Sequence, residues 1–420
     1  MSNGQCLALV AHSSANCFMT ILMNHLQVEI RKGTDALRAL RMEWQDLHRV
    51  AQTSPFLAWE WAVTWQHWLN SHGTPMILCV REGGQLIGLL ALNEGTVSLA
   101  GMPVKRLSLL GDGFGGADYL DVLSWPGREV EVTAALFRFL TQQVSFDALE
   151  LEGLDEKSFS LAWLGQGTKE KFQSRSQPLY VCPQINLAAG WESVLKASRR
   201  ADNFKRRLRQ LRARDGFMFR SVTEPDEAIA AFERFLELHE ARWAEQGGSE
   251  MTGHERLQCF HRDLVVRLAA AGLLRFDELW IEGACRASIY GLEHQGRYYF
   301  YNSGFDQTWR HASVGLVALG LSIQAAITRG ATVYDFLRGT ENYKSDWAGT
   351  VRNTVVVRLA PHRPRARAFL VWQQTSEILR HTLRDRIPQK ILLPLQQIRR
   401  AWVRKQLMNR TPAAVPLTNK

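Results

Sequence analysis

Two stretches of this chain, "VREGGQLIGLLAL" (80–92) and "WIEGACRASIYGL" (280–292), share one plan. Each reads as an apolar strand, a glycine-bearing two-residue turn and a second strand. The order around each is also the same: helix, helix, hairpin, strand, helix, strand. A repeat on this scale constrains the fold more than any composition figure, because each copy must bury the same faces in the same order. The sequence therefore predicts an α/β (α+β) chain with two tandem modules, each a mixed sheet with flanking helices, followed by a basic helical tail. At 420 residues the chain is also too long for one ordinary core.

In the first copy Leu37, Leu40, Trp44, Leu47 and Val50 recur at spacings of three and four, and Thr53–Pro55 breaks the run. A second helix carries Trp61, Trp65 and Trp68. Beyond the hairpin come the turn-rich "LSLLGDGFGGADYLDVL", the helix "EVTAALFRFLTQQV" and the strand "ALELEGL". The second copy opens with the helices "AIAAFERFLELHEARW" and "CFHRDLVVRLAAAGLL". Three strands follow between Leu274 and Phe305, turning at Glu282–Gly283 and Gln295–Gly296. A helix Val314–Arg329 stopped by Gly330, a strand Thr332–Leu337 and "NTVVVRL" complete the copy. The expected divisions are 26–180 and 181–362, joined through Pro178–Trp191, with a tail at 363–420. Residues 1–25 are expected to be an unstructured lead, with Met19 or Met23 as alternative starts.

With 46% hydrophobic and 22% charged residues the chain is globular. It has no apolar run of the roughly 18–20 residues that span a bilayer. Its six cysteines lack C-x-x-C spacing and its histidines form no H-E-x-x-H, so neither a disulfide framework nor a metal is expected. A reducing cytoplasm fits that usage, with peripheral attachment at the inner face of the membrane as an extension. The net charge of +10 is concentrated in two segments. Lys196–Arg214 holds nine Lys/Arg against Asp202, and Arg363–Arg410 holds twelve against Glu377 and Asp385. The first also has Leu195, Phe204, Leu208 and Leu211, enough for one packed face. It carries no nucleic-acid readout motif, and nucleic acid is not an expected partner. The tail reads as cationic amphipathic helices broken at Pro388 and Pro394, able to lie on an anionic membrane, pack on the second module or pair between subunits.

The helix Val314–Arg329 is apolar nearly all round, so it is expected to be buried against a sheet with its N-terminus aimed at a ligand. Before it stands "WRHASVG", where Arg310, His311, Ser313, Val314 and Gly315 would hold a pyrophosphate. The plainer alternative makes Ser313 an N-cap and Gly315 a packing glycine. After the helix comes "VYDFLRGTENYKSDWAG" (333–349), a core strand followed by Arg338, Glu341, Tyr343, Lys344 and Trp347. The alternatives are a proton-moving site, or Tyr343 and Trp347 packed on the sheet with a Glu341–Lys344 surface pair.

In order along the chain, "SPFLAWEWAVTWQHW", "GADYLDVL", "SRRADNFKRRLRQL", "HEARWAEQGG", "RYYFYNSGF" and "DFLRGTENYKSDWA" resemble the GCN5-related N-acetyltransferase (GNAT) family. More narrowly they resemble its CelD/BcsL-type branch of exopolysaccharide and cellulose gene contexts, related in fold to FemAB-type tandem transferases. The likeness covers about Leu26 to Pro361. It implies two GNAT-like modules, the second holding acetyl-CoA or another acyl-CoA, and no metal. It implies Tyr343 as general acid to the departing thiolate, with Glu341 or Asp335 receiving the acceptor's proton. Arg310, His311, Ser313, Val314, Gly315 and Lys344 would then bind the cofactor. Asp118, Tyr119, Arg338 and Trp347 would contact a small-molecule or glycan acceptor. The family's turn reads Q/R-x-x-G-x-G/A, and here serine stands at the first glycine. Two other readings remain: aminoacyl transfer from charged tRNA, and a catalytically silent scaffold of polysaccharide biosynthesis.

Overall fold

The computed structural model describes residues 20–386, apart from 24, 71, 168–170 and 244–247. The first half runs β1 (Thr20–Met23), β2 (Leu26–Lys32), α1 (Thr34–Ala39), α2 (Arg41–Val50), α3 (Trp59–Trp68), β3 (Thr74–Glu82) and β4 (Gln85–Leu99). It continues with β5 (Met102–Leu109), β6 (Leu123–Ser124), α4 (Glu129–Gln143), β7 (Ala148–Asp155), α5 (Phe159–Gly167) and β8 (Phe172–Asn186). The second half opens with α6 (Gly190–Ala197), α7 (Ala201–Arg212), β9 (Met218–Val222), α8 (Pro225–Trp243), α9 (Glu250–Gly253) and α10 (Glu255–Ala270). Next come β10 (Leu274–Ile281), β11 (Ala284–His294), β12 (Arg297–Phe305), α11 (Val314–Thr328), β13 (Val333–Asp335), α12 (Asn342–Ser345), β14 (Thr350–Pro361) and α13 (Pro364–Arg386).

The two hairpins are built alike. Gly83 and Gly84 both take positive φ between β3 and β4, and Glu282 and Gly283 do so between β10 and β11. Two successive left-handed residues match the twist of the flanking strands. Each module also has one parallel pair, β5 with β7 and β12 with β13. A parallel pair needs a crossover, and α4 and α11 supply it.

The strands of the described residues form one sheet in the order β1-β2-β3-β4-β5-β7-β14-β8-β13-β12-β11-β10-β9, with β6 on β4. The modules exchange their closing strands. β8, which ends the first half, pairs with β13 of the second. β14, which ends the second half, pairs with β7 of the first. The two exchanged strands pair with each other from Phe172↔Pro361 to Thr350↔Gln184. The expected boundary at 180/181 thus falls inside β8, and Pro178–Trp191 is strand as far as Asn186 rather than a connector. Pro178 and Pro183 obscure that strand in the sequence, since proline lacks the ladder N–H and reads as a break.

Two large apolar cores and one small one lie on the sheet among the described residues. One is continuous across both modules: Trp61 of α3 meets Phe260 of α10 edge to face at 5.4 Å. The indoles of Trp44 and Trp65 donate to the carbonyls of Leu57 and Asp112 at 2.8 and 3.0 Å, fixing the loops beside them. The other core surrounds α11, whose Val317, Ala318, Ile323 and Ala326 are fully buried. There Phe204 of the basic helix α7 sits on Gly320; a Cβ at that glycine would lie 2.1 Å from the ring. Ser322 of α11 and Tyr298 of β12 both bond the buried Asp277 carboxylate, at 2.5 and 2.8 Å. Removing Phe204 would cost about 3–5 kcal/mol, as for other buried aromatic rings.

The ends of the chain correct one expectation and add to another. Thr20–Met23 is a strand paired with β2, not part of an unstructured lead, while 1–19 lie outside the described residues. The start of the tail docks on the first module rather than the second. Phe369 of α13 is buried with Leu99, Val104 and Ala148, and Arg365 pairs with Asp147 at 2.6 Å. The breaks expected at Pro388 and Pro394 lie outside the described residues. No helix among the described residues is long and apolar enough to cross a membrane.

Candidate active site

The first turn of α11 opens on a cavity of about 260 Å³ in the second module. Its walls are Phe300, Ser303, Gly304 and Phe305 of β12, Ala287 and Ile289 of β11, and Ser313 to Leu316 at the helix start. Arg200, which precedes α7, Asn203 from α7, Arg242 from α8, Arg310, and Tyr343 with Trp347 complete it. The segment sequence reasoning placed before α11 and the one placed after β13 therefore meet in one space.

Ser313 is the hinge of this arrangement. It has φ 58° and ψ 41°, the left-handed conformation that favours glycine, and its hydroxyl caps no helical N–H. The backbone thus adopts a conformation that suits glycine, with a serine in place. Its carbonyl accepts from Val317 N at 3.1 Å, so the N–H groups of Val314, Gly315 and Leu316 lie in the unbonded first turn. Gly315 also has Phe305 close beside it, where an added Cβ would stand 3.2 Å from the ring. His311 is exposed and outside the cavity lining.

Arg242 was missed by the sequence reading, although it stands in "HEARW". Its guanidinium donates to Ser303 Oγ at 2.9 Å and lies 5.7 Å from the centre of the Tyr343 ring. Arg200, from "SRRADNF", pairs with Asp346 at 2.6 Å. Burial and the nearby Glu341 carboxylate push the Tyr343 hydroxyl above its ordinary range, with Arg242 opposing. Trp347 is buried, stacked on Trp191 at 6.3 Å and edge-on to Phe204 at 5.9 Å.

The other expected residues gather at a second place, the seam between modules. Arg338 Nε donates to Asp118 Oδ1 at 2.8 Å and its backbone N–H to Asp118 Oδ2 at 3.1 Å. Its guanidinium also bonds the Ala117 carbonyl and lies 4.2 Å from the Tyr180 ring centre. The Tyr119 hydroxyl donates to Asp335 at 3.0 Å, and Gln184 Nε2 and Leu337 N donate to the same carboxylate at 2.6 and 2.8 Å. Tyr119 and Leu337 both have positive φ, a strain that this network holds in place.

Asp335 is fully buried, and burial pushes its carboxyl up to about 6 against the pull of those donors. With its oxygens occupied and no place in the cavity wall, its geometry corrects the expectation of a proton acceptor; it anchors the end of β13. Asp118 and Arg338 are likewise bound to each other rather than open to an acceptor. Lys344 is buried, and its ammonium is held by the Arg338 carbonyl at 2.7 Å and by Glu341 at 3.0 Å, not turned to the cavity. The expected Glu341–Lys344 pair exists, but its lysine end lies inside. Glu341 is half exposed, the freest carboxylate of the segment. Among the described residues no cluster of His, Cys, Asp and Glu is arranged to hold a metal.

The chain is similar to known proteins over part of its sequence and in its fold. Residues 197–345 match the family model described as "Acetyltransferase (GNAT) domain". FemX superposes with a TM-score of 0.54 at 10% identity, covering 76% of this chain and 95% of that one. Looser matches are the C-terminal domain of a putative lysylphosphatidylglycerol synthetase from Agrobacterium fabrum (TM-score 0.49, 8% identity, 81% and 96% covered) and a tandem GNAT protein of the clavulanic acid pathway (0.39, 12%, 80% and 99%). No curated protein matches by sequence. Residues 197–345 thus match the GNAT domain that their motifs led one to expect, and over 76% of the chain the fold is similar to that of FemX.

Proposed function

We propose that this chain, with its GNAT domain on a FemX-like fold, is an acyltransferase that uses acetyl-CoA or another acyl-CoA. The acceptor in this reading is an amine or hydroxyl of a cell-envelope or exopolysaccharide-related molecule. The observation that carries it is the open first turn of α11, facing a cavity that also holds Arg242 and Tyr343.

When bound, acyl-CoA supplies the acyl group as a thioester. The N–H groups of Val314, Gly315 and Leu316 would hold its pyrophosphate, assisted by the helix dipole and by Arg310. Ser313 fits this task because its backbone is left-handed and its hydroxyl bonds none of the helical N–H groups. Tyr343, held protonated at neutral pH, gives its proton to the leaving sulfur. Arg242 beside it stabilises the phenolate that remains. Glu341, half exposed and outside the cavity wall, takes the acceptor's proton through water. Asp118, Tyr119, Asp335, Arg338 and Lys344 act by holding the 335–347 segment, and Trp347 is the cavity floor.

Titration calorimetry with acetyl-CoA and CoA tests the reading, and no heat at millimolar ligand would sink it. With an acceptor in hand, Tyr343→Phe is expected to lower kcat by about 10²–10⁴ with CoA affinity kept. An unchanged kcat removes Tyr343 from the mechanism. Aminoacyl transfer from charged tRNA remains the second reading, favoured by the exposed Arg206, Arg209 and Arg212 on α7. Retention on charged tRNA without CoA binding would replace the first reading by the second. The exposed Val371 and Trp372 of α13 support peripheral contact with an anionic membrane. Undiminished co-sedimentation of Trp372→Glu with anionic vesicles would remove that contact from the reading.

A further inference from the structure

A second cavity, of about 340 Å³, lies between the modules and shares no lining residue with the first. The second module gives it Tyr299, Arg297 and Arg352. Tyr299 is 1% exposed, yet its hydroxyl bonds nothing among the described residues. Arg297 is half-buried and its guanidinium has no acceptor among the described residues either. Arg352 is fixed by Asp155 and lies 4.0 Å from the Tyr119 ring centre. A buried hydroxyl and a planar guanidinium seldom go without acceptors, and here both border the same space.

The first module supplies a different chemistry. Asp121, held by Val122 N at 2.7 Å and by the Ser160 hydroxyl, lines the cavity with the hydroxyls of Ser158 and Thr133. Burial pushes the Asp121 carboxyl up to about 6. These groups suit hydroxyls, for which a carboxylate and side-chain oxygens are acceptors. The cavity is too polar for an apolar ligand and falls in the small end of the usual range for bound molecules.

We propose that this inter-module cavity is a second ligand site, taking a small anionic, hydroxyl-bearing molecule of the sugar-phosphate class. Its anionic end lies on Tyr299, Arg297 and Arg352 and its hydroxyls on Asp121, Ser158 and Thr133. The site stands independently of the acyl-donor reading. Because Tyr119 also borders it and bonds Asp335, a ligand there touches the anchor of the 335–347 segment.

The test is calorimetry on the full chain with glucose 6-phosphate, glucose and inorganic phosphate as probes. Glucose 6-phosphate is expected to bind saturably and more tightly than either of the others. Arg297→Gln and Tyr299→Phe should each weaken it by about tenfold or more, as expected for a hydrogen bond to a charged group. Acetyl-CoA titrations of the same variants should be unchanged. If Tyr299→Phe fails to fold, the half-buried Arg297→Gln carries the test alone. No saturable binding of glucose 6-phosphate at millimolar concentration, or binding indifferent to Arg297→Gln, overturns the proposal. Equal affinity for phosphate alone overturns its sugar half, and equal affinity for glucose its anionic half.

Discussion

Helices α4 and α11 hold equivalent places, each carrying the chain between the parallel strands of its module, yet their first turns are opposites. At α4, Glu129 and Glu131 lie in the first turn, Glu129 accepts from Gly127 N at 3.1 Å, and Arg128 is engaged by Glu82 and Glu131. At α11 the first turn has no carboxylate, and Arg310, Arg242 and Arg200 surround the cavity it faces. The dipole is the same in both helices, but one chain segment supplies its own anion and the other leaves the position open. The strands before these regions' loops show the same divergence. Asp155 at the end of β7 and Asp335 at the end of β13 each accept from the N–H two residues on, at 2.7 and 2.8 Å. Asp155 borders the inter-module cavity, whereas Asp335 is sealed in the seam. A duplicated frame has thus kept its turns and assigned them to different work.

The strongest way to break the contrast is to give α11 the carboxylate that α4 has. Leu316→Glu should weaken acetyl-CoA binding by about a hundredfold, roughly 3 kcal/mol, through repulsion in a partly desolvated turn. Undiminished binding by calorimetry would mean that this turn is not the phosphate site. Asp335 sharpens the strand-end comparison. Its carboxyl is raised from 3.8 to about 6 in the folded state, so the folded chain holds that proton more tightly than the unfolded one. Its contribution to stability therefore falls as pH rises through that window and is level above it. Relative to the wild type, Asp335→Asn should gain on the order of 2 kcal/mol between pH 4 and pH 7, followed by urea melts. Ser313→Gly relieves a left-handed side chain and should stabilise by about 1 kcal/mol without loss of CoA affinity. The smallest effect is expected at α4, where Glu131→Gln should cost roughly 0.5 kcal/mol of stability and confer no CoA binding.

Much of the frame was legible because its signals are local. The paired glycine-bearing turns, the all-apolar α11 and its stop at Gly330 each follow from a few neighbouring residues. The approach of Arg310, Ser313, Gly315 and Tyr343 was legible only as an order of motifs. Arg242 was not legible as a cavity residue, since an arginine in the last turn of an amphipathic helix looks solvated until Ser303 and Phe305 are known to face it. The roles of Asp118 and Arg338 were misjudged for a related reason. Two hundred and twenty residues separate them, and nothing local tells a charge bound for solvent from one bound for a distant partner.

By itself, then, the sequence determined the two copies, their turns, their buried helices and the chemistry gathered after β13, because hydrophobic period and backbone preference act over a few residues. Only the tertiary structure decided which closing strand pairs with which module, that Asp335 and Arg338 lock a seam, and that Arg297 and Tyr299 meet Asp121 around a cavity. Those outcomes depend on pairings across the whole chain, where register, burial and charge are settled by what arrives from the other module.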